Sequence, residues 1–145
     1  PQRAGDIASK SGFKLINKRW VDIDWLSMEV NGTPDVHVIG DAVFPAPTMP
    51  KSGHMANQQA KLAAAAILNL LSGSEPSQTP LVMSTCYSFV DAKQAVHVAS
   101  VHTYDRATRT MQPVKGAGGV SAAPNEIEGR LALGWAKNIW ADMLT

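Results

Sequence analysis

The 145-residue sequence has only one cysteine, Cys86, so no disulfide bond can form within the chain. The thiol is therefore either free or one half of a pair whose second cysteine lies elsewhere. Cysteine usage consequently does not reveal the redox compartment in which the protein works.

Long apolar runs and an excess of charge are also missing. The longest apolar stretch, Leu62 to Leu71, is interrupted by Asn69 and is about half of the ~20 residues that a membrane-spanning helix needs. The 13 basic and 12 acidic residues give a formal net charge of +1, which offers no electrostatic case for binding nucleic acid. A composition of 45% hydrophobic and 17% charged residues is typical of a globular protein with a core rather than of a disordered chain.

The sequence lacks the opening signatures of a complete dinucleotide-binding protein. No Gly-x-Gly-x-x-Gly motif follows a predicted strand, and the chain opens on Pro1 with neither a Met nor the apolar core of a signal peptide. We therefore expect the chain to be the carboxyl-terminal part of a longer protein.

Metal-binding spacing is absent as well. The four histidines, His37, His54, His97 and His102, show no metal-site spacing with Cys86 or with carboxylates. His97 and His102 are five residues apart in a predicted strand and should point to opposite faces. His54 lies beside the loop described below and could bond or shuttle a proton there, although a packing role is the stronger interpretation.

What the sequence does contain is a strand–turn–helix pattern. The apolar run Val36–Ile39 predicts a strand covered on both faces, and it ends at a Gly40-Asp41-Ala42 turn. A proline-rich loop follows, and an alanine-rich helix is predicted from about Ser52, its N-cap, to Leu71. The Asp41 carboxylate suits sugar-like hydroxyl groups, and the N–H groups at the helix start suit an electron-rich carbonyl or an anion. An isolated Gly-Asp is more often a strand end satisfied by neighbouring amides, but the loop and helix that follow favour a flavin site.

The flanking segments complete the predicted layout. Residues 1–12 read as a frayed start, 13–16 as a short strand, and Trp20–Trp25 alternates as a strand with one wet face. The Ser- and Gly-rich segment 72–77 ends the helix and marks a boundary between a unit at 1–74 and a unit at 75–145.

The second unit has a different pattern. Leu81–Val90, Gln94–Tyr104 and Thr108–Val114 predict three strands whose short turns force antiparallel pairing. A glycine- and alanine-rich loop is predicted over 115–124, and then a helix capped by Asn125 from Glu126 to Leu144. One predicted packing stripe on this helix recurs every four residues: Ile127, Leu131, Trp135, Ile139 and Met143.

Cys86 lies in the first of these strands. Alternation places it with Ser84 and Ser88 on the small, polar face, away from the bulky core residues expected on the other face. The commonest fate of a single cysteine is a buried, inert thiol. From the residues alone, an inert thiol and a reactive one are about equally supported.

These segments carry a family resemblance. Val38–Ala42, the loop Met49–His54 and the helix start Ala56–Ala60 resemble the second half of the two-dinucleotide-binding-domain flavoproteins, and most of all flavocytochrome c sulfide dehydrogenase and its sulfide:quinone reductase relatives. The segment Thr85–Ser88 and the ending Trp135–Met143 resemble the flavocytochrome branch. The fold class that the resemblance implies is α/β plus α+β: the C-terminal part of an FAD-binding domain, followed by an interface domain with a three-stranded antiparallel sheet and a C-terminal helix.

The resemblance implies a cofactor, a reaction and a partner. Asp41 would hold a ribityl hydroxyl of FAD, and Cys86 would form a redox disulfide beside the flavin with a cysteine outside this chain. Sulfide would reduce that pair, and electrons would pass through FAD to a c-type cytochrome in the periplasm. This part of the protein alone should neither retain FAD nor be active. The expected cofactor-binding residues are Gly40, Asp41, Ala42, Lys51, Ser52, Gly53, Ala56 and Asn57.

Two alternatives remain open. One is a sulfide:quinone reductase or an NADH-dependent relative, which the charged last helix disfavours because membrane-bound quinone reductases of this kind usually end in an apolar or amphipathic segment. The other is a cofactor-free module that only dimerises, and a homo-oligomer is left open in every case.

Overall fold

The computed structural model describes residues 3–144. Its elements, in chain order, are α1 (Asp6–Lys10), β1 (Leu15–Ile16), β2 (Trp20–Val21), α2 (Gly53–Leu71), β3 (Leu81–Phe89), β4 (Ala95–Asp105), β5 (Thr110–Val120) and α3 (Glu126–Leu144).

The first fifty residues contain little regular structure. β1 and β2 pair antiparallel, and β2 ends at Val21, so the strand predicted over Trp20–Trp25 is wrong beyond its first two residues. The strand predicted over Val36–Ile39 is also wrong, because this segment forms only an isolated bridge between His37 and Glu29. The backbone bonds of this segment are the pair that flanks the bridge, from the Val30 N–H to the Val36 carbonyl and from the Val38 N–H to the Met28 carbonyl. The frayed start predicted over residues 1–12 is replaced, within the described residues, by the short helix α1.

The hydrophobic core joins both halves of the chain. Val21, Val43 and Met55 from the first half pack in one buried cluster with Val82 of β3 and Met111 of β5. The boundary between two units near residue 74 stays a prediction. The segments on either side of it share this core.

Helix α2 begins as predicted. The Ser52 Oγ accepts a hydrogen bond from the Met55 N–H at 3.1 Å, which is the N-cap bond expected of a serine at this position. Met55, Gln59, Ala63 and Ala66 form its buried face. The helix ends at Leu71, and Gly73 follows with a φ of +76°, a left-handed conformation that a glycine adopts without strain.

The three predicted strands of the second half are confirmed as an antiparallel sheet in the order β3-β4-β5. The loop predicted over 115–124 is wrong in its first half, because β5 continues to Val120. The glycines that suggested a loop instead allow an irregularity: the β4–β5 register shifts between Ser100 and His102. At Gly118, with φ +101°, an added Cβ would lie 2.4 Å from the Ala99 carbonyl oxygen.

Helix α3 is capped as predicted, since the Asn125 Oδ1 accepts a hydrogen bond from the Glu128 N–H at 2.9 Å. Its predicted packing stripe is wrong at Ile127, Leu131 and Met143, whose side chains are 63%, 54% and 55% exposed. Trp135, in contrast, packs against the rings of His54 and Tyr87 as predicted. The helix packs through Gly129 and Ala132, which are buried. A Cβ added at Gly129 would lie 1.8 Å from the carbonyl oxygen of Lys93. The glycine therefore permits a backbone approach that no side chain would allow. No helix within residues 3–144 is both long and apolar enough to cross a bilayer.

Candidate functional site

The Gly-Asp-Ala turn is a single 3-10 turn over Gly40–Ala42. Gly40 has a φ of +71°, and an added Cβ would stand 3.2 Å from the Ala56 Cβ. Two features therefore require glycine at position 40: the left-handed backbone and the close approach of the turn to α2. The Gly40 N–H donates to the Gln59 Oε1 at 2.6 Å, which fixes the turn against the second turn of the helix.

Gln59 lines the cleft beside the turn, and the sequence interpretation did not select it. Its side chain is 2% exposed, and its Nε2 donates to the Met49 sulfur at 3.7 Å. It therefore joins the turn to the proline-rich loop from within the helix. A glutamine on the buried face of an alanine-rich helix was the available signal, because a buried amide has to find partners.

Lys51 is not the solvated loop lysine that its position suggests by default. Its Nζ donates to the carbonyl oxygens of Asp41 at 2.7 Å and Val43 at 2.8 Å. The same ammonium lies 4.0 Å from the centre of the Trp20 ring. Burial lowers the pKa of Lys51, and the nearby charge of Asp41 partly opposes that shift. A positive charge is thus held at the turn by two carbonyls and an aromatic face.

The open side of the turn carries unused bonding groups. Asp41 is exposed, and its carboxylate accepts no hydrogen bond from any residue in the range 3–144. At the start of α2, the N–H groups of Gly53 and His54 have no acceptor in the same described range. An exposed acceptor and two N–H donors at a helix N-terminus suit a ligand with hydroxyl groups and an electron-rich edge.

The cleft between the turn and α2 is small. It is lined by Gly40, Asp41, Lys51, Ser52 and Ala56, so five of the eight predicted cofactor-binding residues share one surface. Its internal space of about 10 Å³ is close to what one water molecule requires. A ring system would therefore lie across its mouth rather than enter it.

The other three predicted residues lie outside this surface. Ala42 packs against the core, and Gly53 is the exposed first residue of α2. Asn57 points to the opposite side of the helix, where its Nδ2 donates to the Asp142 Oδ2 at 2.9 Å. Lys61 joins the same carboxylate at 2.8 Å. Asn57 thus fastens α2 to α3 rather than lining the cleft.

A pair of serines connects the cleft to Cys86. The Ser52 Oγ shares a hydrogen bond of 2.8 Å with the Ser84 Oγ, and the Ser84 Oγ is 4.0 Å from the Cys86 sulfur. Ser84 is 2% exposed, while Cys86 is partly exposed. The start of α2 and the thiol are therefore neighbours, although 34 residues separate Ser52 from Cys86 in the chain.

Cys86 lies on the face of β3 that is buried, whereas the sequence predicted that the opposite, bulky face would be buried. Val82 and Ser84 are buried against the core, whereas Leu81 and Met83 on the bulky face are 59% and 42% exposed. Cys86 therefore lies on the core-facing side of β3, between the buried Ser84 and the exposed Ser88.

The sheet beside Cys86 is apolar and open. Cys86 pairs with Val98 of β4, which pairs in turn with Val120 of β5. These two valines are 52% and 73% exposed. The thiol thus borders an uncovered apolar strip across three strands.

Three of the histidines make packing contacts or hydrogen bonds within the protein. The His54 Nδ1 accepts a hydrogen bond from the Thr85 N–H at 3.0 Å and its ring lies edge-on to Trp135 at 5.4 Å. The His97 Nδ1 lies 2.7 Å from a Glu128 carboxylate oxygen, and burial of His102 is complete. His97 and His102 do lie on opposite faces. No cluster of metal-binding side chains occurs in the described part of the chain.

Comparison with known protein families gives one match. Residues 78–144 match the family model for flavocytochrome c sulphide dehydrogenase, flavin-binding. The matched range contains the whole three-stranded sheet and α3, including Ser84 and Cys86, while the Gly40 turn lies before it. This match agrees with the resemblance to flavocytochrome c sulfide dehydrogenase that the segments in this range carry.

Proposed function

We propose that the chain is part of an FAD-dependent sulfide dehydrogenase that oxidises sulfide at a disulfide containing Cys86 and passes the electrons to a c-type cytochrome. The observation that carries the proposal is the contact of Ser52 with Ser84, which places Cys86 next to the α2 N-terminus and the Gly40 cleft. The family match at residues 78–144 supplies the flavin-binding context for that strand.

The residues around the cleft fit one edge of a flavin. The free carboxylate oxygens of Asp41 suit a hydroxyl-bearing chain such as ribityl, and the N–H groups of Gly53 and His54 suit a carbonyl edge. Lys51 adds a positive charge beside them. Donors and positive charge near the cofactor favour its reduced, anionic form, and this raises its reduction potential. The small size of the cleft agrees with the expectation that these residues alone do not enclose FAD.

The chain's own part in the chemistry centres on Cys86. In the proposed first step, hydrosulfide attacks a disulfide between Cys86 and a second cysteine of the longer flavoprotein. The S–S bond breaks, one sulfur becomes a persulfide and the other leaves as a thiolate, so that atoms and charge balance. The thiolate and the persulfide would then join in a new S–S bond, giving a trisulfide, and bound FAD would supply the two-electron acceptor that this bond formation needs. Ser84, whose Oγ lies 4.0 Å from the Cys86 sulfur, connects that sulfur to Ser52 at the start of α2.

The cytochrome partner and the periplasmic location form part of the same proposal. The family description names a flavocytochrome c, which supports a c-type cytochrome as the electron acceptor. The periplasmic location rests on the resemblance to flavocytochrome c sulfide dehydrogenase alone.

The test is spectroscopic and uses the longer flavoprotein. We expect a flavin band in the purified protein, loss of that band on anaerobic addition of sulfide, and reduction of an added c-type cytochrome. Rapid reduction of a quinone analogue with no reduction of cytochrome would replace the proposal with a sulfide:quinone reductase. Absence of any flavin, with a dimer in solution, would favour the cofactor-free module.

A matched pair of variants tests the cleft. Asp41→Ala should lower the flavin content of the purified protein several-fold, because the variant loses the exposed acceptor at the turn. Asp6→Ala, which removes an exposed carboxylate on α1, should leave the flavin content unchanged. Equal flavin content in both variants would remove Asp41 from the binding site.

A further inference from the structure

Two polar atoms are buried without a protein partner. The Ser100 Oγ and the His102 Nδ1 have no hydrogen-bond partner within the described residues, and His102 is 0% exposed. A buried polar atom left unpaired costs about 1 to 3 kcal/mol, so native proteins usually satisfy such atoms with protein or with ordered water. Both atoms belong to residues of β4. The Ser100 hydroxyl can donate a hydrogen bond, and the His102 Nδ1 can accept one, as the following contacts show.

The two side chains point into the same space. Ser100 and His102 are two residues apart on one strand and therefore share a face, with Ser84 and Val82 directly opposite them on β3. On the other side, the pairing of β5 jumps from Pro113 to Gly118 between these same two positions. Ser100 pairs with Gly118 and His102 with Pro113, and β5 bulges away from β4 between these two pairs.

The bonding of His102 decides what the site can accept. Its Nε2 lies 3.3 Å from the Pro47 carbonyl oxygen, which can only accept, so the proton of a neutral ring belongs on Nε2. The Nδ1 is then an acceptor. Burial lowers the pKa of His102 and favours this neutral ring, while the bond to Pro47 opposes the shift. The Ser100 hydroxyl, in contrast, has a proton to donate.

We propose that Ser100 and His102 bind one buried water molecule, which accepts the Ser100 O–H and donates to the His102 Nδ1. A buried water commonly makes about three hydrogen bonds. Ser84, which lies opposite Ser100 on β3, is a candidate for the third. The water links the loop that contains Pro47 to the middle of the sheet, beside the serine pair that leads to Cys86. The proposal does not depend on the proposed function.

The direct test is a crystal structure of the wild-type protein at a resolution that shows ordered water. We expect one water within about 2.7 to 3.2 Å of both the Ser100 Oγ and the His102 Nδ1. The proposal is overturned if no density lies between these atoms or if each of them bonds to a protein atom instead.

Nitrogen NMR of the labelled histidines provides a second test, first on the wild type and then on a variant. The His102 resonances should show a neutral ring with its proton on Nε2 and a hydrogen-bonded Nδ1. A proton on Nδ1 would contradict the proposal. In Ser100→Ala, the Nδ1 resonance should shift because the water loses one of its two defining partners. Ser88→Ala, at an exposed serine on β3, serves as the control and should leave that resonance in place. An unchanged Nδ1 resonance in Ser100→Ala would also overturn the proposal.

Discussion

The turn region (residues 40–52) and the sheet–helix region (residues 81–144) carry the two halves of the candidate site in different ways. In the turn region, the backbone has one short 3-10 turn and is fixed by side chains: Gln59 holds the Gly40 N–H, and Lys51 holds two carbonyls. In the sheet–helix region, the backbone of Cys86 is fixed by ladder bonds to β4 on one side. A contact between Ser52 and Ser84 joins the two regions.

This difference predicts different responses to substitution. Where side chains fix the backbone, replacing one of them moves the site itself. Where a ladder fixes the backbone, a side chain such as that of Cys86 can be replaced with little change in geometry, and the effect falls on chemistry alone. The exception in the sheet–helix region is the point at which α3 touches the β3–β4 turn through Gly129.

The largest effect is expected at that exception. Gly129→Ala should destabilise the protein by about 2 to 3 kcal/mol, because the new Cβ overlaps the Lys93 carbonyl and forces α3 away from the sheet. Gly134→Ala is the matched control, since nothing lies within 4 Å of the position of its Cβ. It should be stabilising by up to about 1 kcal/mol through helix propensity. Urea unfolding measures both, and equal stabilities would show that α3 is free to shift.

The next largest effect belongs to the turn region. Gln59→Leu should cost about 2 kcal/mol, because it leaves the Gly40 N–H without its partner and removes a buried amide. In the longer flavoprotein it should also lower flavin content, since the turn carrying Asp41 loses its anchor. Gln58→Leu is the control on the half-buried neighbouring position and should change stability by less than about 0.5 kcal/mol. A stable Gln59→Leu with full flavin content would contradict the anchoring role.

A smaller effect is expected from Lys51→Met. The variant keeps much of the apolar stem over Trp20 but loses the two bonds to the carbonyls of Asp41 and Val43. We expect a loss of about 1 kcal/mol in the free energy of unfolding. The loss is modest because the variant also avoids the cost of burying a charged ammonium. Lys10→Met, at an exposed lysine on α1, should be neutral by the same urea unfolding measurement. A stability equal to that of the control would show that the ammonium does not hold the turn.

The smallest effect is a pH dependence in the sheet–helix region. The hydrogen bond from His97, together with that from Ser121, lowers the pKa of Glu128 below its ordinary value. A carboxylate with a lowered pKa stabilises the fold above its unfolded pKa, and that contribution is lost as pH falls through the folded value. Stability should therefore drop below about pH 4 in the wild type.

Glu128→Gln should reduce that drop, and Glu126→Gln should not. Glu126 is exposed and lies 3.9 Å from Arg130, so its carboxylate has no comparable partner. Stability measured by urea unfolding at neutral and acid pH separates the two variants. The same acid-dependent loss in Glu128→Gln and the wild type would show that the His97 contact is not what stabilises α3.

The features that the sequence predicted correctly depend on local chemistry. Ser52 and Asn125 cap their helices because a short polar side chain satisfies the N–H groups two or three residues ahead, whatever the rest of the fold does. The order of β3, β4 and β5 follows from turns too short for any other pairing. The turn at Gly40–Ala42 was likewise predicted correctly from its residue types.

The features that failed depend on distant parts of the chain. Periodicity showed that Ser84 and Cys86 share a strand face, but not that this face turns toward the core. The stripe on α3 failed at Ile127 and Leu131 because the helix instead packs through Gly129, which meets the Lys93 carbonyl, and no pattern within the helix reveals this. Gln59 and Lys51 each contact residues to which no local pattern relates them, and the partner of Asn57, Asp142, lies 85 positions away.

The measurement that tests the central claim most directly compares the wild-type flavoprotein with Cys86→Ser during anaerobic addition of sulfide. Serine preserves the size and the ladder position of Cys86, so the variant should keep its flavin band. The account predicts that sulfide bleaches this band in the wild type and leaves it intact in the variant. Equal bleaching of both proteins would contradict the account and would leave Cys86 as a packing residue beside the cleft.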